Sequence, residues 1–243
     1  MKKSNLKHDS TEIDLTEMIA AINSTRVYEV AEVSALQLGR HLSSKLANNI
    51  YLKREDQQTV FSFKLRGAYN KISSLTAAQK QAGIIAASAG NHAQGVALSA
   101  SKLNIVAQIV MPVTTPGIKV DSVRNWGAEV LLSGDNYDEA YQQAAQIAAE
   151  TGRTFIHPYD DLKVIAGQGT LGKELLDQAS VDLDAIFVPV GGGGLIAGVA
   201  AYIKHFSPQT KIIGVEPEEA STLYSAMQAD ERVVLEQVGI FAD

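Results

Sequence analysis

The sequence predicts an α/β protein built from βα units, with a parallel sheet covered by helices. From about residue 49 onward, short runs rich in Ile and Val alternate with longer segments of helical periodicity. Several of the short runs are apolar throughout, which is typical of strands that helices cover on both faces. The composition, with 46% hydrophobic and 20% charged residues, is that of a folded domain able to bury a sizeable core.

The alternation predicts a helix or a strand for each segment of the chain. The first 48 residues carry two predicted helices, at 15–22 and 36–46, with no strand between them. Further along, the predicted strands are 50–52, 84–87, 105–111, 130–132, 186–190 and 212–215. The predicted helices between them are 64–75, 92–103, 118–126, 137–150, 167–176 and 195–205.

Composition and charge exclude several classes of function. With 21 Lys and Arg against 27 Asp and Glu, the net charge of −6 argues against general nucleic-acid binding. The absence of cysteine excludes disulfides, iron–sulfur clusters, Cys-ligated zinc and thiol catalysis. The N-terminal lysines are followed by no apolar stretch, and no run is long enough to span a bilayer. We therefore expect a cytoplasmic protein without a membrane partner.

A run of four glycines is the most distinctive local feature. Gly191, Gly192, Gly193 and Gly194 follow a predicted strand and precede an apolar helix. Backbone N–H groups at such a turn can face an anion, which predicts a phosphate-binding loop, although a merely flexible turn remains an alternative.

Two nucleotide-binding motifs have glycine-rich turns of this kind. The Lys-Ser/Thr pair of a P-loop is missing after the glycines. Gly192, Gly194 and Ala197 do fit the spacing of a dinucleotide fingerprint, and Glu216 ends the next predicted strand. NAD binding therefore stays open on local spacing alone.

A lysine lies between apolar neighbours where a loop meets a predicted helix. Lys64 is flanked by Phe63 and Leu65 in the sequence SFKLRGA. Desolvation favours the neutral amine, the form that attacks a carbonyl to make a Schiff base. By itself, however, a lysine near the start of a helix is more commonly solvated.

The segment SAGNHAQG again joins a predicted strand to a predicted helix. Its small residues leave the first amides of that helix open to a second anion, such as a carboxylate. Asn91 is interpreted either as a structural helix cap or as a ligand contact, and His92 either as a packed neighbour or as a catalyst.

Together, SFKLRGA, SAGNHAQG and GGGGL resemble the fold-type II (tryptophan synthase β-like) pyridoxal-phosphate enzymes. The resemblance implies a three-layer sandwich in which two open parallel-type sheets are covered by helices. The neighbouring sequences YLKRED, IVMP and IAGQGTLGKELL are similar to those of biosynthetic threonine dehydratases. The resemblance runs from about Val27 to the C-terminus.

The resemblance implies a role for each motif. Lys64 would hold pyridoxal 5'-phosphate covalently, with Phe63 beside its ring and Asn91 bonded to its phenolic oxygen. The phosphate would lie on Gly191, Gly192, Gly193, Gly194 and Leu195. The substrate carboxylate would lie on the amides of Ser88, Ala89, Gly90, Asn91 and His92.

The implied reaction is an elimination. The substrate amine displaces Lys64, which then removes the α-proton, and loss of the β-hydroxyl leads to a 2-oxo acid and ammonia. From threonine the product is 2-oxobutanoate, the entry to isoleucine synthesis. A serine dehydratase or another β-eliminating relative remains an alternative, because no residue marks a pocket for the threonine methyl group.

The chain differs from the family pattern in three respects, and each changes what we expect of it. Ala89 stands where serine racemases carry a second base, which favours elimination. Thr222 stands where metal-binding members carry an acidic ligand near Glu216, so we expect no metal. A chain ending at Asp243 is expected to be truncated at its C-terminus, lacking the residue that bonds the pyridine nitrogen and the regulatory domain, so an inactive fragment is a further alternative.

The resemblance also suggests how the chain is divided. Residues 1–48 would form a lead-in on the large domain, 49–135 an inserted small α/β domain, and 136–243 the large cofactor domain. A homo-oligomer is expected on the same ground.

Overall fold

Strands and helices alternate along most of the chain, as the sequence predicts. The structure is a computed structural model that describes residues 14–231 and 233–235. Within these residues, no helix is both long and apolar enough to cross a membrane. In chain order the elements are α1 (Leu15–Asn23), β1 (Leu36–Leu38), α2 (Arg40–Leu46), β2 (Tyr51–Lys53), α3 (Lys64–Ser73), α4 (Ala77–Ala82), β3 (Ile84–Ala87), α5 (Asn91–Leu103), β4 (Ala107–Met111), α6 (Gly117–Asn125), β5 (Glu129–Leu132), α7 (Tyr137–Thr151), β6 (Thr154–Phe155), α8 (Leu162–Gln178), β7 (Ala185–Pro189), α9 (Gly194–Phe206), β8 (Lys211–Val215) and α10 (Thr222–Ala229).

Two parallel sheets organise the fold. The first has four strands in the order β5-β4-β3-β6, and the second pairs β7 with β8. All four residues of β3 are buried, because Ile84 and Ala86 pack against α5 while Ile85 and Ala87 pack against α7. Helices therefore cover both faces of this sheet, and the predicted α/β class is confirmed.

The N-terminal segment departs from its prediction. The predicted helix over 36–46 is wrong in its first part, because Leu36–Leu38 form β1 and pair antiparallel with β2. Gly39 separates this strand from α2, which begins only at Arg40. A strand therefore lies between the two N-terminal helices, where the prediction has none. Pairing with a strand distant in sequence overrides the local preference of these leucines.

Other elements differ from the prediction in length or existence. The helix expected from residue 167 begins at Leu162, because the Asp161 carboxylate accepts hydrogen bonds from Lys163 N and Val164 N. Strand β6 and helices α4 and α10 were not predicted. Since β6 pairs with β3, the four-stranded sheet takes one strand from beyond residue 135. The division into units at 48 and 135 stays a prediction, and residues 1–13 and 236–243 lie outside the described residues.

Helix α3 is held closely between α5 and α8. A Cβ on Gly67 would lie 2.7 Å from the carbonyl oxygen of Val164 on α8. A Cβ on Gly95 of α5 would lie 3.0 Å from the backbone nitrogen of Leu65. Only glycine permits these approaches, and they fix the N-terminal end of α3, where Lys64 lies.

Candidate active site

Lys64 is the first residue of α3, and its amine lies in a mostly buried position. The Nζ atom donates a hydrogen bond to the carbonyl oxygen of Pro158 at 3.2 Å and lies 5.3 Å from the centre of the Phe63 ring. Burial lowers the pKa of Lys64. The amine therefore has a larger neutral, nucleophilic fraction than a solvated lysine at the same pH.

Arg66 anchors the first turn of the lysine-bearing helix. Its guanidinium is fully buried and donates to both oxygens of Glu55 at 2.8 Å, and to Glu174 at 2.5 and 3.2 Å. Lys53 also pairs with Glu174, at 2.6 Å. Burial alone lowers the pKa of Arg66, but hydrogen bonds and charges from the two glutamates raise it above its ordinary value. The charged side chain thus ties the start of α3 to α8.

The second predicted segment lies where β3 ends and α5 begins. Gly90 takes the position before the helix and Asn91 is the first helical residue, so Asn91 is not the helix cap. No side chain caps this end of α5, and the first amides of a helix have no partner within it. The backbone N–H of Gly90 donates to Ser88 Oγ at 3.2 Å. Asn91 is exposed, so its side chain is accessible to a ligand.

His92 is a packed neighbour. Its Nε2 lies 3.0 Å from the carbonyl oxygen of Ile156, and because a carbonyl only accepts, Nε2 carries the proton. Burial lowers the pKa of His92 to about 3. The imidazole is therefore neutral at physiological pH and connects α5 to the chain that follows β6.

The glycine loop, Gly191 to Gly194, joins β7 to α9. Gly193 has a left-handed φ of 85°. A Cβ on Gly192 would overlap the Tyr159 ring, and one on Gly194 would lie 2.7 Å from the Tyr159 carbonyl oxygen. Gly191 differs, because nothing lies within 4 Å of its Cβ position and its φ is not left-handed. The absence of a side chain at Gly191 leaves open space at the start of the loop, which is compatible with an anion-binding loop.

Residues 156–159, here called the supporting segment, connect the three predicted motifs. The carbonyl of Ile156 faces His92, the carbonyl of Pro158 accepts from Lys64, and Tyr159 packs against Gly192 and Gly194. The supporting segment was missed by sequence reasoning. It follows β6, whose carboxyl end lies at the same sheet edge as that of its parallel neighbour β3, and this edge is where α/β proteins place ligands.

Phe63 and Leu195 lie at the margin of this arrangement. Both line a groove of about 790 Å³ that also contacts β2 and β7. Lys64, Asn91 and the glycine loop do not line that groove. Phe63 also packs against the apolar cluster of α8 and α9 around Leu171.

The acidic residue that NAD binding would require, Glu216, is already hydrogen-bonded within the protein. Glu216 accepts hydrogen bonds from Leu223 N at 2.8 Å, Tyr224 N at 2.9 Å and Thr222 Oγ1 at 3.1 Å. The carboxylate is thus used to hold the start of α10 and is not directed toward a ribose.

Comparison with known proteins identifies the family of this arrangement. Residues 32–243 match the family described as pyridoxal-phosphate dependent enzyme. The chain is 56% identical over 242 residues to the chloroplastic biosynthetic threonine dehydratase of Arabidopsis thaliana, covering 100% of this chain and 41% of that protein. It is 55% identical over 227 residues to the biosynthetic L-threonine dehydratase of Pasteurella multocida, covering 93% of this chain and 44% of that protein. The chain thus spans less than half the length of these curated relatives.

Solved structures agree with this assignment. The processed form of threonine deaminase isoform 2 from Solanum lycopersicum superposes with a TM-score of 0.92 at 51% identity, covering 97% of this chain and 68% of that one. Maize serine racemase gives 0.86 at 31% identity, covering 93% and 68%. The fold-type II architecture expected from the three motifs is therefore confirmed, and the chain belongs to the pyridoxal-phosphate dependent enzyme family, in the group that contains the biosynthetic threonine dehydratases.

Proposed function

We propose that this chain carries the catalytic core of a threonine ammonia-lyase, which converts L-threonine to 2-oxobutanoate and ammonia. The observation that carries the proposal is the position of Lys64, whose buried amine lies beside the segment that also supports the glycine loop and α5. The names of the relatives, threonine dehydratase and threonine deaminase, support the choice of substrate.

The residues present fit pyridoxal phosphate. The phosphate matches the open side of the glycine loop at Gly191 and the uncapped start of α9 at Gly194 and Leu195. The amine of Lys64 is buried and has a lowered pKa, so its neutral form can attack the aldehyde carbon of the cofactor. We assign Phe63 to the side of the ring and the exposed amide of Asn91 to the phenolic oxygen. When bound, the group supplies an electron sink for the carbanion formed at the substrate α-carbon.

Lys64 is assigned two tasks in the reaction. Its amine would hold the cofactor covalently, and as a free amine its Nζ would accept the α-proton of the substrate. Burial lowers the pKa of Lys64, which increases the neutral fraction needed for both tasks. The carbonyl of Pro158, 3.2 Å from Nζ, gives the released amine a fixed position.

The start of α5 is assigned to the substrate carboxylate. The backbone N–H of Ser88 already donates to the carbonyl oxygen of Val110 at 3.2 Å, and that of Gly90 donates to Ser88 Oγ, so the carboxylate is assigned to the amides of Ala89, Asn91 and His92. No side chain caps this end of α5, and the positive end of the helix dipole favours an anion there. Ala89 offers no proton-transfer group. Without a second base, protons are transferred on one face of the substrate only, which favours elimination over racemisation.

A serine-specific lyase is the second candidate. A fungal L-serine ammonia-lyase from Rhizomucor miehei superposes with a TM-score of 0.78 at 26% identity, covering 88% of this chain. Turnover of threonine and of serine, each measured as 2-oxo acid and ammonia released in equal amounts, separates the two. Threonine as the better substrate is the expected result, and serine as the better substrate would overturn the assignment.

The same assay distinguishes an inactive fragment. Lys64→Ala serves as the control for background hydrolysis and should release neither product. If the unchanged chain retains pyridoxal phosphate yet releases no 2-oxo acid from either amino acid, the proposed activity does not belong to this chain.

Further expectations from the sequence also remain proposals. These are a part in isoleucine biosynthesis, which the word biosynthetic in the relatives' names supports, a cytoplasmic location, homo-oligomer formation and the absence of a structural metal. Cell fractionation, size-exclusion chromatography and metal analysis of the purified protein would check the last three.

A further inference from the structure

Tyr159 occupies the space that side chains on the glycine loop would need. Its ring lies where a Cβ on Gly192 would be placed, and its Cα and carbonyl oxygen lie 3.0 and 2.7 Å from the Cβ position of Gly194. The residue is partly buried, and the loop rests on it over both its ring and its backbone. The supporting segment thus contacts the glycine loop through Tyr159.

Tyr159 is itself held rigidly. Its backbone N–H and that of Asp160 both donate to His157 Nδ1, at 3.3 and 2.8 Å. The rings of His157 and Tyr159 meet edge to face, with centroids 4.7 Å apart and planes at 89°. Pro158 between them restricts the backbone further. The turn therefore presents the Tyr159 ring to the loop in one orientation.

The same turn also fixes the reactive amine. The carbonyl of Pro158 accepts from Lys64 Nζ at 3.2 Å, one residue before Tyr159. A single rigid turn thus contacts the group proposed to bind the aldehyde end of the cofactor and the loop proposed to bind its phosphate end. The distance between these two groups must match the length of the cofactor, because a site that is loose by about 1 Å loses much of its affinity.

We propose that Tyr159 is a positioning residue, which sets the glycine loop at the distance from Lys64 that the phosphate group requires. This inference rests on the cofactor site of the proposed function and is independent of which amino acid is the substrate. The contacts that carry the proposal are those that the ring and backbone of Tyr159 make with Gly192 and Gly194, and Tyr159→Phe keeps both.

The test compares pyridoxal phosphate with pyridoxal, which lacks the phosphate. Both ligands are titrated by absorbance against the unchanged chain, Tyr159→Phe and Tyr159→Ala, and unfolding in urea is measured without ligand. Tyr159→Ala should weaken pyridoxal phosphate binding by about tenfold or more while leaving pyridoxal binding unchanged. Tyr159→Phe should bind both ligands like the unchanged chain. A purely structural role would weaken both ligands alike, and that result overturns the proposal.

A second pair of variants covers the case in which Tyr159→Ala folds poorly. Gly192→Ala alone should weaken pyridoxal phosphate binding, because the new methyl group overlaps the ring. Combining it with Tyr159→Ala should cost less than the sum of the two single changes. If Gly192→Ala binds pyridoxal phosphate normally, the ring does not set the loop position and the proposal is wrong.

The outcomes also separate this inference from the proposed function. If the unchanged chain binds neither ligand, both fail. If it binds pyridoxal phosphate well and the Tyr159 variants show no phosphate-specific loss, only the positioning role fails.

Discussion

Replacing Gly191 by alanine separates what folding requires of the glycine loop from what anion binding requires. Nothing lies within 4 Å of the Cβ position at Gly191, and its φ is not left-handed. The free energy of unfolding without ligand should therefore change by less than about 1 kcal/mol, with a small increase favoured because alanine restricts the unfolded chain. The methyl group would nevertheless fill open space at the loop that the proposed phosphate site requires.

The expected effect on the ligand is much larger. Displacing one hydrogen bond to a charged group costs about 1.5–3 kcal/mol, which is roughly ten- to a hundredfold in Kd for pyridoxal phosphate. Gly193→Ala is the matched control, because its Cβ position is equally open but its φ of 85° makes the substitution strained. That control should lose about 1–2 kcal/mol of unfolding free energy without ligand. Urea unfolding and absorbance titration measure the two quantities. If Gly191→Ala is destabilised as much as Gly193→Ala, or binds pyridoxal phosphate with unchanged affinity, the reasoning is refuted.

Two further predictions concern the groups that hold the site together. Burial lowers the pKa of His92 from 6.5 to about 3, so the folded state binds fewer protons than the unfolded state in this range and loses stability as the pH falls below 6.5. Between pH 7 and pH 5 the free energy of unfolding should fall by about 2 kcal/mol from this group. The variant His92→Gln keeps a donor toward Ile156, and its free energy of unfolding, measured in urea, should depend less on pH than that of the unchanged chain. The same pH dependence in both proteins would contradict the prediction. Arg66→Met leaves the carboxylates of Glu55 and Glu174 without their main partner and should reduce the free energy of unfolding by about 3–5 kcal/mol. Adding Glu174→Gln should recover part of that loss, because it removes one of the two carboxylates that have lost their main partner. A loss below about 1 kcal/mol for Arg66→Met alone would contradict the buried network.

The elements that sequence reasoning predicted well are those whose pattern is local. Strand β3 is apolar throughout because helices cover both of its faces, and this covering is visible in four consecutive residues. The starts of α3, α5 and α9 were placed within one residue, because each follows a loop or strand and carries a distinctive motif. The same motifs indicated the family.

The elements that were missed depend on contacts between distant parts of the chain. Leu36–Leu38 form a strand because β2 is available to pair with them, whereas their own sequence is equally compatible with a helix. The supporting segment acts mainly through backbone carbonyls, and Pro158 is separated from Lys64 by 94 positions. A carbonyl contributes no pattern to a sequence, so this connection becomes visible only in the fold.

The role of Arg66 also depends on contacts that its local sequence does not show. The residue stands in the motif that drew attention to Lys64, yet its partners are Glu55 and Glu174, on separate parts of the chain. Sequence alone suggests an exposed arginine on a helix. Full burial and a paired network make it a structural anchor for the start of α3.

Lys64 is the group proposed to bind pyridoxal phosphate covalently, and the rest of the proposed site is arranged around it. The most direct test is borohydride reduction of the purified chain after incubation with pyridoxal phosphate, followed by peptide mass mapping, with Lys64→Ala treated in parallel. The expected result is an adduct confined to the peptide that contains Lys64 and absent from the variant. No adduct, or labelling scattered equally over surface lysines in both proteins, would contradict it.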